Sequence, residues 1–260
     1  MIQALINVLC IGDVIGTVGT DYLRQQLPAL KREKRVDAVI VNGENSADTN
    51  GITPRSAEYL LACGVDLITT GNHAFQRRES YPLYDSSAQV LRPANYPDGA
   101  PGVGTGVIDL GRVRIRVINL MGTVEMNPVL HCPFTVCDRL LEECEEKIVI
   151  VDFHAEATGE KKGLAYWLDG RVSALFGTHT HVQTADEQIL PGGTGYISDV
   201  GMTGPVQSVI GVRPEDAVQM MRTRMPTRLR FADGPCMLNA VLFGVDEKTG
   251  KTVQVERLQL

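Results

Sequence analysis

Asp13, Glu44, Asn45, Asn72, His73, His154, His179 and His181 are the side chains of this sequence best suited to holding a metal. Carboxylates, amide oxygens and imidazoles are the ligand types that Zn, Mn and Fe accept. Four of the five histidines fall in this set, and only His131 is left over. In an extended segment alternate residues point the same way, so His179-Thr180-His181 at a strand end can aim two imidazoles at one metal pair. Glu44-Asn45 places a carboxylate beside an amide. A carboxylate can bridge two cations, as in two-metal phosphatase sites with a separation of about 3.5–4 Å. Gly71 permits a sharp turn before Asn72-His73, and helix-compatible sequence follows. Taken singly, each residue has an ordinary reading. Asp13 after Gly12 suits a turn or helix cap, Asn42-Gly43 and Gly71-Asn72 are turn dipeptides, and a lone His154 suits a packed strand end. It is the joint pattern that points to a metal site.

These residues need neighbouring strands to bring them together. Residues 5–11, 37–41 and 65–70 are short apolar runs, as in strands buried on both faces. They end at Gly12-Asp13, Asn42-Gly43-Glu44-Asn45 and Gly71-Asn72-His73. A loop holding Gly16 and Gly19 leads to a helix capped by Thr20-Asp21 and running to about Glu33. A second helix starts at Thr53-Pro54 and closes at Cys63-Gly64. Strand–helix alternation implies a parallel sheet with right-handed crossovers, whose carboxyl edge binds ligands. Residues 102–109 and 113–120 read as an antiparallel pair turning near Gly111-Arg112. Residues 133–146 form an amphipathic helix and 147–153 a strand ending at His154. Residues 158–168 form a helix, and 173–176 a strand leading into the His-Thr-His segment. Residues 196–199, 237–245 and 252–258 read as later strands. The expected architecture is α/β: one domain over residues 1–260, with two packed mixed β-sheets flanked by helices.

Composition narrows the class. The chain has 260 residues, 43% hydrophobic and 22% charged, with 25 basic and 31 acidic side chains for a net charge of −6. That excludes a disordered polymer and argues against direct nucleic-acid binding through bulk charge. No apolar run reaches the roughly 18 residues of a membrane helix, and the start lacks a signal-peptide pattern. Six cysteines without a CxxC pair point to free thiols in a reducing cytoplasm, and not to a Cys-based zinc site.

The motifs Gly12-Asp13, Asn42-Gly43-Glu44-Asn45, Gly71-Asn72-His73, Asp152-Phe153-His154-Ala155-Glu156-Ala157 and Gly177-Thr178-His179-Thr180-His181 together resemble the calcineurin-like metallophosphoesterase superfamily. More narrowly, they resemble its bacterial branch of di-iron cyclic-nucleotide phosphodiesterases. The similarity extends through Pro191-Gly192-Gly193-Thr194 and 199–205, so it covers most of the chain. Three departures from the superfamily pattern stand out. Asp13-Val14-Ile15 lacks the usual His of the first motif, Glu44 replaces a bridging Asp, and Ala74 replaces an acid after His73. The narrower branch shares the first two changes, and there the Asn stands in for the missing His.

The resemblance implies a four-layer α/β/β/α sandwich and a cytoplasmic hydrolase acting on small cyclic nucleotides, 2',3'-cyclic and also 3',5'-cyclic. It implies one metal held by Asp13, Glu44, Asn45 and His181, and another by Glu44, Asn72, His154 and His179. His73 stays off the metals as general acid, while the two cations activate a hydroxide for in-line attack on phosphorus. Iron is the implied metal, and the ligand types also allow Mn or Zn. A homo-oligomer is expected. Rival readings are a phosphomonoesterase such as a nucleotidase, or a metal-stabilised regulatory protein with incidental hydrolysis. A metal-dependent amidohydrolase fits less well, because its His-x-His falls at the first strand.

Other segments fit simpler roles. Gly12, Gly16 and Gly19 are spaced G-x-x-x-G-x-x-G, which fails the dinucleotide fingerprint. Their loop is expected to pass close to the metals. Asn95-Tyr96-Pro97 and Thr203-Gly204-Pro205 are loop punctuation that can also line a substrate pocket. Asp186-Glu187 reads as a solvated turn or as a group orienting a ligand. Arg222, Arg224, Arg228 and Arg230 form a basic stretch suited to a solvated face or a subunit contact.

Overall fold

The computed structural model describes residues 5–260. Met1 to Ala4, which begin the segment read as lacking a signal peptide, lie outside the described residues. One seven-stranded sheet is built on β1 (Leu5–Ile11), β3 (Ala38–Asn42) and β4 (Leu67–Thr69), which run parallel. On the other side of β1, β12 (Cys236–Asp246) runs antiparallel, and it also pairs with β13 (Thr252–Gln259). Beyond it, β11 (Met202–Pro205) and β2 (Asp13–Val14) complete the sheet. The six-stranded sheet joins β5 (Thr105–Asp109), β6 (Arg114–Met121), β7 (Ile148–His154), β8 (Ala174–Thr178), β10 (Gly195–Ile197) and β9 (Gln188–Ile189), in that order. Its central strands are parallel and its two edge pairings antiparallel, so both sheets are mixed.

Side-chain alternation sorts the core into three layers. Ile6, Val8, Cys10 and Ile40 of the first sheet pack between the sheets against Ile115, Val117, Ile148, Ile150 and Phe176 of the second. The opposite face of the first sheet, with Leu9, Ile11, Val39 and Val41, packs on α1 (Gly16–Lys34) and α2 (Pro54–Ala62) through Leu23, Leu27 and Leu60. The outer face of the second, with Val149, Val151 and Phe153, packs on α4 (Pro133–Glu142) and α5 (Thr158–Trp167) through Val136 and Leu164. The result is the expected α/β/β/α order.

The row between the sheets changes character at the carboxyl ends. Ala38 and Ile40 give way to Asn42, Leu67 to Thr69, Ile148 and Ile150 to Asp152 and His154, and Phe176 to Thr178. Each aliphatic side chain contributes about 1.5–3 kcal/mol on burial. The apolar part of the row therefore holds the sheets together, and the last positions of β3, β4, β7 and β8 are left free for polar work.

The structure corrects several expectations. The stretch with Gly16 and Gly19 is already helical: α1 begins at Gly16, and Thr20 lies inside it with its hydroxyl donating to the Gly16 carbonyl. Gly19 instead lets α1 approach β11, because a Cβ there would stand 2.4 Å from the Thr203 carbonyl oxygen. Thr203-Gly204-Pro205 belongs to strand β11 and is not loop. The amphipathic helix stops at Glu142, and the strand expected at residues 196–199 spans Gly195–Ile197. The chain after His73 forms turns before a 3-10 turn at Arg78–Ser80, followed by α3 (Tyr81–Ser86). Helix α6 (Pro214–Thr223) was not anticipated. Its Asp216 pairs with Arg230, so one arginine of the basic stretch is committed to a local ion pair.

Candidate metal centre

All eight residues singled out in the sequence come together at strand ends contributed by both sheets. Asp13 sits in β2, where its backbone N–H donates to the Gly201 carbonyl, 3.1 Å. Glu44 and Asn45 occupy the turn after β3, pinned by the Glu44 N–H donating to Asn42 Oδ1 at 3.2 Å. Asn72 and His73 follow β4. Gly71 beside them is required by packing: a Cβ there would lie 2.0 Å from His154 Cδ2. His154 ends β7. His179 and His181 lie past the end of β8 and are not extended: their φ angles are 109° and 65°. The pair therefore converges through a left-handed backbone, costly for non-glycine residues, and not through strand alternation.

Three of these groups form a tight buried set. Asp13, Glu44 and His154 each offer a ligand atom within 4.8 Å of the others. His154 Nε2 lies 3.2 Å from Glu44 Oε1, 2.9 Å from Asn72 Oδ1 and 3.2 Å from His179 Nδ1. His181 Nε2 lies 3.5 Å from Asp13 Oδ1 and 3.4 Å from Asn45 Nδ2. The His179 N–H donates to Asp13 Oδ2 at 3.2 Å. His73 Nδ1 stands 3.0 Å from both Glu44 Oε1 and Asn45 Oδ1.

The donor set fits a cation by proton count. Thr178 Oγ1 donates to Asp152 Oδ1 at 2.8 Å, so it accepts from His154 Nδ1, 2.9 Å away. Neutral His154 then presents a bare Nε2 to three further acceptors. His179 is arranged alike: its Nε2 faces Glu156 Oε2 at 3.1 Å, which turns the Nδ1 lone pair toward His154. His181 Nδ1 donates to the Ile210 carbonyl at 2.9 Å, and its Nε2 lone pair faces Asp13. Fixing the outer nitrogen so that the inner one can ligate is how metal-binding histidines are oriented. More acceptors than protons converge here, the condition that a cation relieves. Asn45 joins such a set once its amide is turned to place Oδ1 toward Asp13 and His181; the two ends of an amide have the same shape.

Without metal, protons fill part of that role. Burial pulls the His154 pKa down, but Glu44 and Asp13 more than reverse this and raise it to about 9. His181 is likewise opposed by burial and raised by Asp13. Burial, then the charge on His154, lowers His179 to about 4. Glu44 is held well below the usual carboxylate range, its burial outweighed by His154 and His73. Asp13 is lowered by His181 and His154 despite burial. The raised imidazoles of His154 and His181 thus face the lowered carboxylates of Glu44 and Asp13 when no metal is bound.

Sequence reasoning missed the network beneath. Asp152 accepts from the Thr69 and Thr178 hydroxyls and from Asn42 Nδ2 at 3.2 Å. Burial pushes its pKa up to about 7 against those hydrogen bonds. A buried Lys161–Asp199 pair at 2.7 Å holds the Thr180 N–H between the two histidines, since Asp199 Oδ2 also accepts that N–H at 3.0 Å. Asp186 makes no contact with the proposed ligands; it accepts from Ser198 and Thr184 beside Asp199. The available signal was a polar residue continuing an apolar alternation, as in Ile148, Ile150, Asp152, His154.

Comparison with known proteins places the chain. A Bacillus subtilis (strain 168) protein described as a 2',3'-cyclic-nucleotide 2'-phosphodiesterase is 41% identical over 254 residues, 97% of this chain and 96% of that one. A crystal structure from Thermus thermophilus, described as a hypothetical protein, superposes with a TM-score of 0.93 at 42% identity, covering 98% and 99% of the two chains. A Mycoplasma pneumoniae structure described as a novel phosphatase superposes with a TM-score of 0.95 at 34% identity, covering 100% of this chain and 94% of that one. Residues 9–258 match the family described as YmdB-like protein. With its two-sheet sandwich and its polar strand ends, the chain belongs to the YmdB-like family of metallophosphoesterase-type proteins.

Proposed function

We propose that the protein is a metal-dependent phosphodiesterase that hydrolyses small 2',3'-cyclic nucleotides, with 3',5'-cyclic nucleotides as further substrates. The observation that carries this reading is the convergence of Glu44, Asn72 and His179 on the single buried nitrogen His154 Nε2. The activity given for the B. subtilis relative supports the substrate class. Asp13, Glu44, Asn45 and His181 would hold one ion, and Glu44, Asn72, His154 and His179 a second. Iron is the favoured metal, with Mn or Zn also suited to these ligands. When bound, the ions supply acidified water and positive charge for the phosphoryl oxygens.

The residues of the chain do the rest. Glu44 lies between the two ligand sets, and its burial keeps the carboxylate from being solvated instead. His73 is held by its Nδ1 on Glu44 and Asn45, which leaves Nε2 directed to Asn50, 3.2 Å away. In the cationic form that Nε2–H donates to the leaving ribose oxygen, typically contributing about 10²–10⁴-fold. We place the chain in the cytoplasm, as one domain over residues 1–260 that assembles as a homo-oligomer. Its free cysteines support the compartment. Among the described residues no helix is long and apolar enough to cross a membrane.

The description of the Mycoplasma structure as a phosphatase favours a second reading, a phosphomonoesterase. The test is elemental analysis of anaerobically purified protein, with turnover of 2',3'-cyclic and linear nucleotides measured on the same sample. Faster turnover of linear monoesters would replace the first reading by the second.

A further inference from the structure

A cleft of about 420 Å³ is lined by Tyr96, Asp98, His131, Thr135 and Arg139 among others. Its wall is fixed to the strand ends that carry the site. Asn95 Nδ2 donates to the Met121 carbonyl at 2.8 Å and to the His131 carbonyl at 3.0 Å, while Asn95 Oδ1 accepts the Met121 N–H at 2.9 Å. Met121 is the register partner of His154. The Tyr96 ring stands edge-on to Phe75, two residues past His73, with centroids 5.1 Å apart. Burial and then the Glu44 carboxylate raise the Tyr96 phenol to about 12. Tyr96 therefore connects the cleft lining to Phe75 and to the charge of Glu44.

The lining suits an aromatic, polar-edged ligand. Tyr96 is half-buried, and its hydroxyl makes no hydrogen bond to the described residues. Neither do the exposed His131 imidazole and Arg139 guanidinium. Arg92, buried with Nε unpartnered, adds positive charge near Tyr96. The volume lies in the range of about 300–1,000 Å³ usual for small-molecule sites. Other clefts fit less well. Those around Arg114 and Lys147 and around Glu146 and Val149 lie near the amino ends of the second sheet's strands, away from the metal ligands. The one beside Thr17 is smaller, about 280 Å³, and its Asp48 and Arg213 are already paired with Thr17 and Asp233.

We propose that this cleft receives the nucleoside part of the substrate, the base stacking on Tyr96 and Arg139 donating to its acceptor edge. The identity of the ligand rests on the phosphodiesterase reading. Base–aromatic stacking of about 1–3 kcal/mol per base corresponds to roughly 5- to 150-fold in affinity.

Calorimetric titration of the protein as purified with adenosine 3'-phosphate and with glycerol 2-phosphate tests it. The wild type is expected to bind the nucleotide at least about five-fold more tightly than the base-free phosphate. Tyr96→Ala should erase that gap and leave glycerol 2-phosphate binding unchanged. Tyr96→Phe should keep the gap, and Arg139→Ala, a surface change, should narrow it. Equal wild-type affinities, a gap that survives both Tyr96→Ala and Arg139→Ala, or equal loss of both ligands would overturn the proposal. If the nucleotide binds through Tyr96 but no cyclic nucleotide is turned over, the phosphodiesterase reading fails and the cleft assignment stands.

Discussion

His154 Nε2 lies 3.2 Å from Glu44 Oε1, and both side chains are buried. In the metal-free protein that contact is an ion pair, because Glu44 and Asp13 outweigh burial and raise His154 to about 9. Between its ordinary value of 6.5 and about 9, His154 is protonated in the folded chain and neutral in the unfolded one. Its stabilisation is thus fully present below 6.5 and lost as pH rises through about 9. The Tm of metal-free protein should fall across that window, and the metal-loaded Tm should fall much less. A metal-free Tm that holds steady or rises there would contradict the assignment.

The same protonation makes metal uptake release protons. A ligating imidazole must be neutral, so His154, raised to about 9, gives up its proton. Calorimetry at pH 7 in buffers of different ionisation enthalpy should detect proton release on metal uptake. No release would show that the ions bind elsewhere.

His73→Gln should lower cyclic-nucleotide turnover by about 10²–10⁴-fold while metal content stays near wild type. Its Nδ1 contacts to Glu44 and Asn45 position it beside the ligands. Metal loss in this variant, measured by elemental analysis, would make His73 a ligand instead of an acid.

Thr178→Val removes the hydroxyl that stands between Asp152 and His154 Nδ1. Loss of such an orienting partner costs roughly 10–100-fold in metal affinity. Competitive chelator titration should show that loss, and Thr178→Ser should restore binding. Unchanged affinity in Thr178→Val would mean that the chain from Asp152 does not orient His154.

Gly71→Ala places a methyl 2.0 Å from His154 Cδ2. Such overpacking costs about 1–3 kcal/mol. Both Tm and metal content should drop together; a drop in Tm alone would mean that the backbone yields and His154 keeps its place.

Much of this arrangement was legible because strand ends are written locally. The apolar runs before Gly12, Asn42 and Gly71 mark where β1, β3 and β4 stop, and Thr53-Pro54 marks the start of α2 through a capping box. Asp13, Glu44, Asn45, Asn72 and His73 follow those ends, and His154, His179 and His181 follow the ends of β7 and β8 in the same way. What escaped depends on distant partners. Strands β2 and β11 are short and exist through pairing across about 190 residues of chain, Met202 opposite Asp13, which leaves no local period. Helix α1 starts at Gly16 without a side-chain cap, so its first turn reads as loop. His179 and His181 take left-handed backbone that no His-x-His spacing announces. Thr69, Thr178 and Asn42 look like ordinary strand ends and turns until Asp152 is placed among them.

In the proposed mechanism Glu44 is shared between the two ligand sets, so hydrolysis depends on it. The most direct test is turnover of 2',3'-cyclic AMP by Glu44→Gln beside wild type, with metal counted on the same samples. Wild type should carry two metal ions per chain and Glu44→Gln fewer, with no turnover above background in that variant. Full turnover by Glu44→Gln would contradict the mechanism.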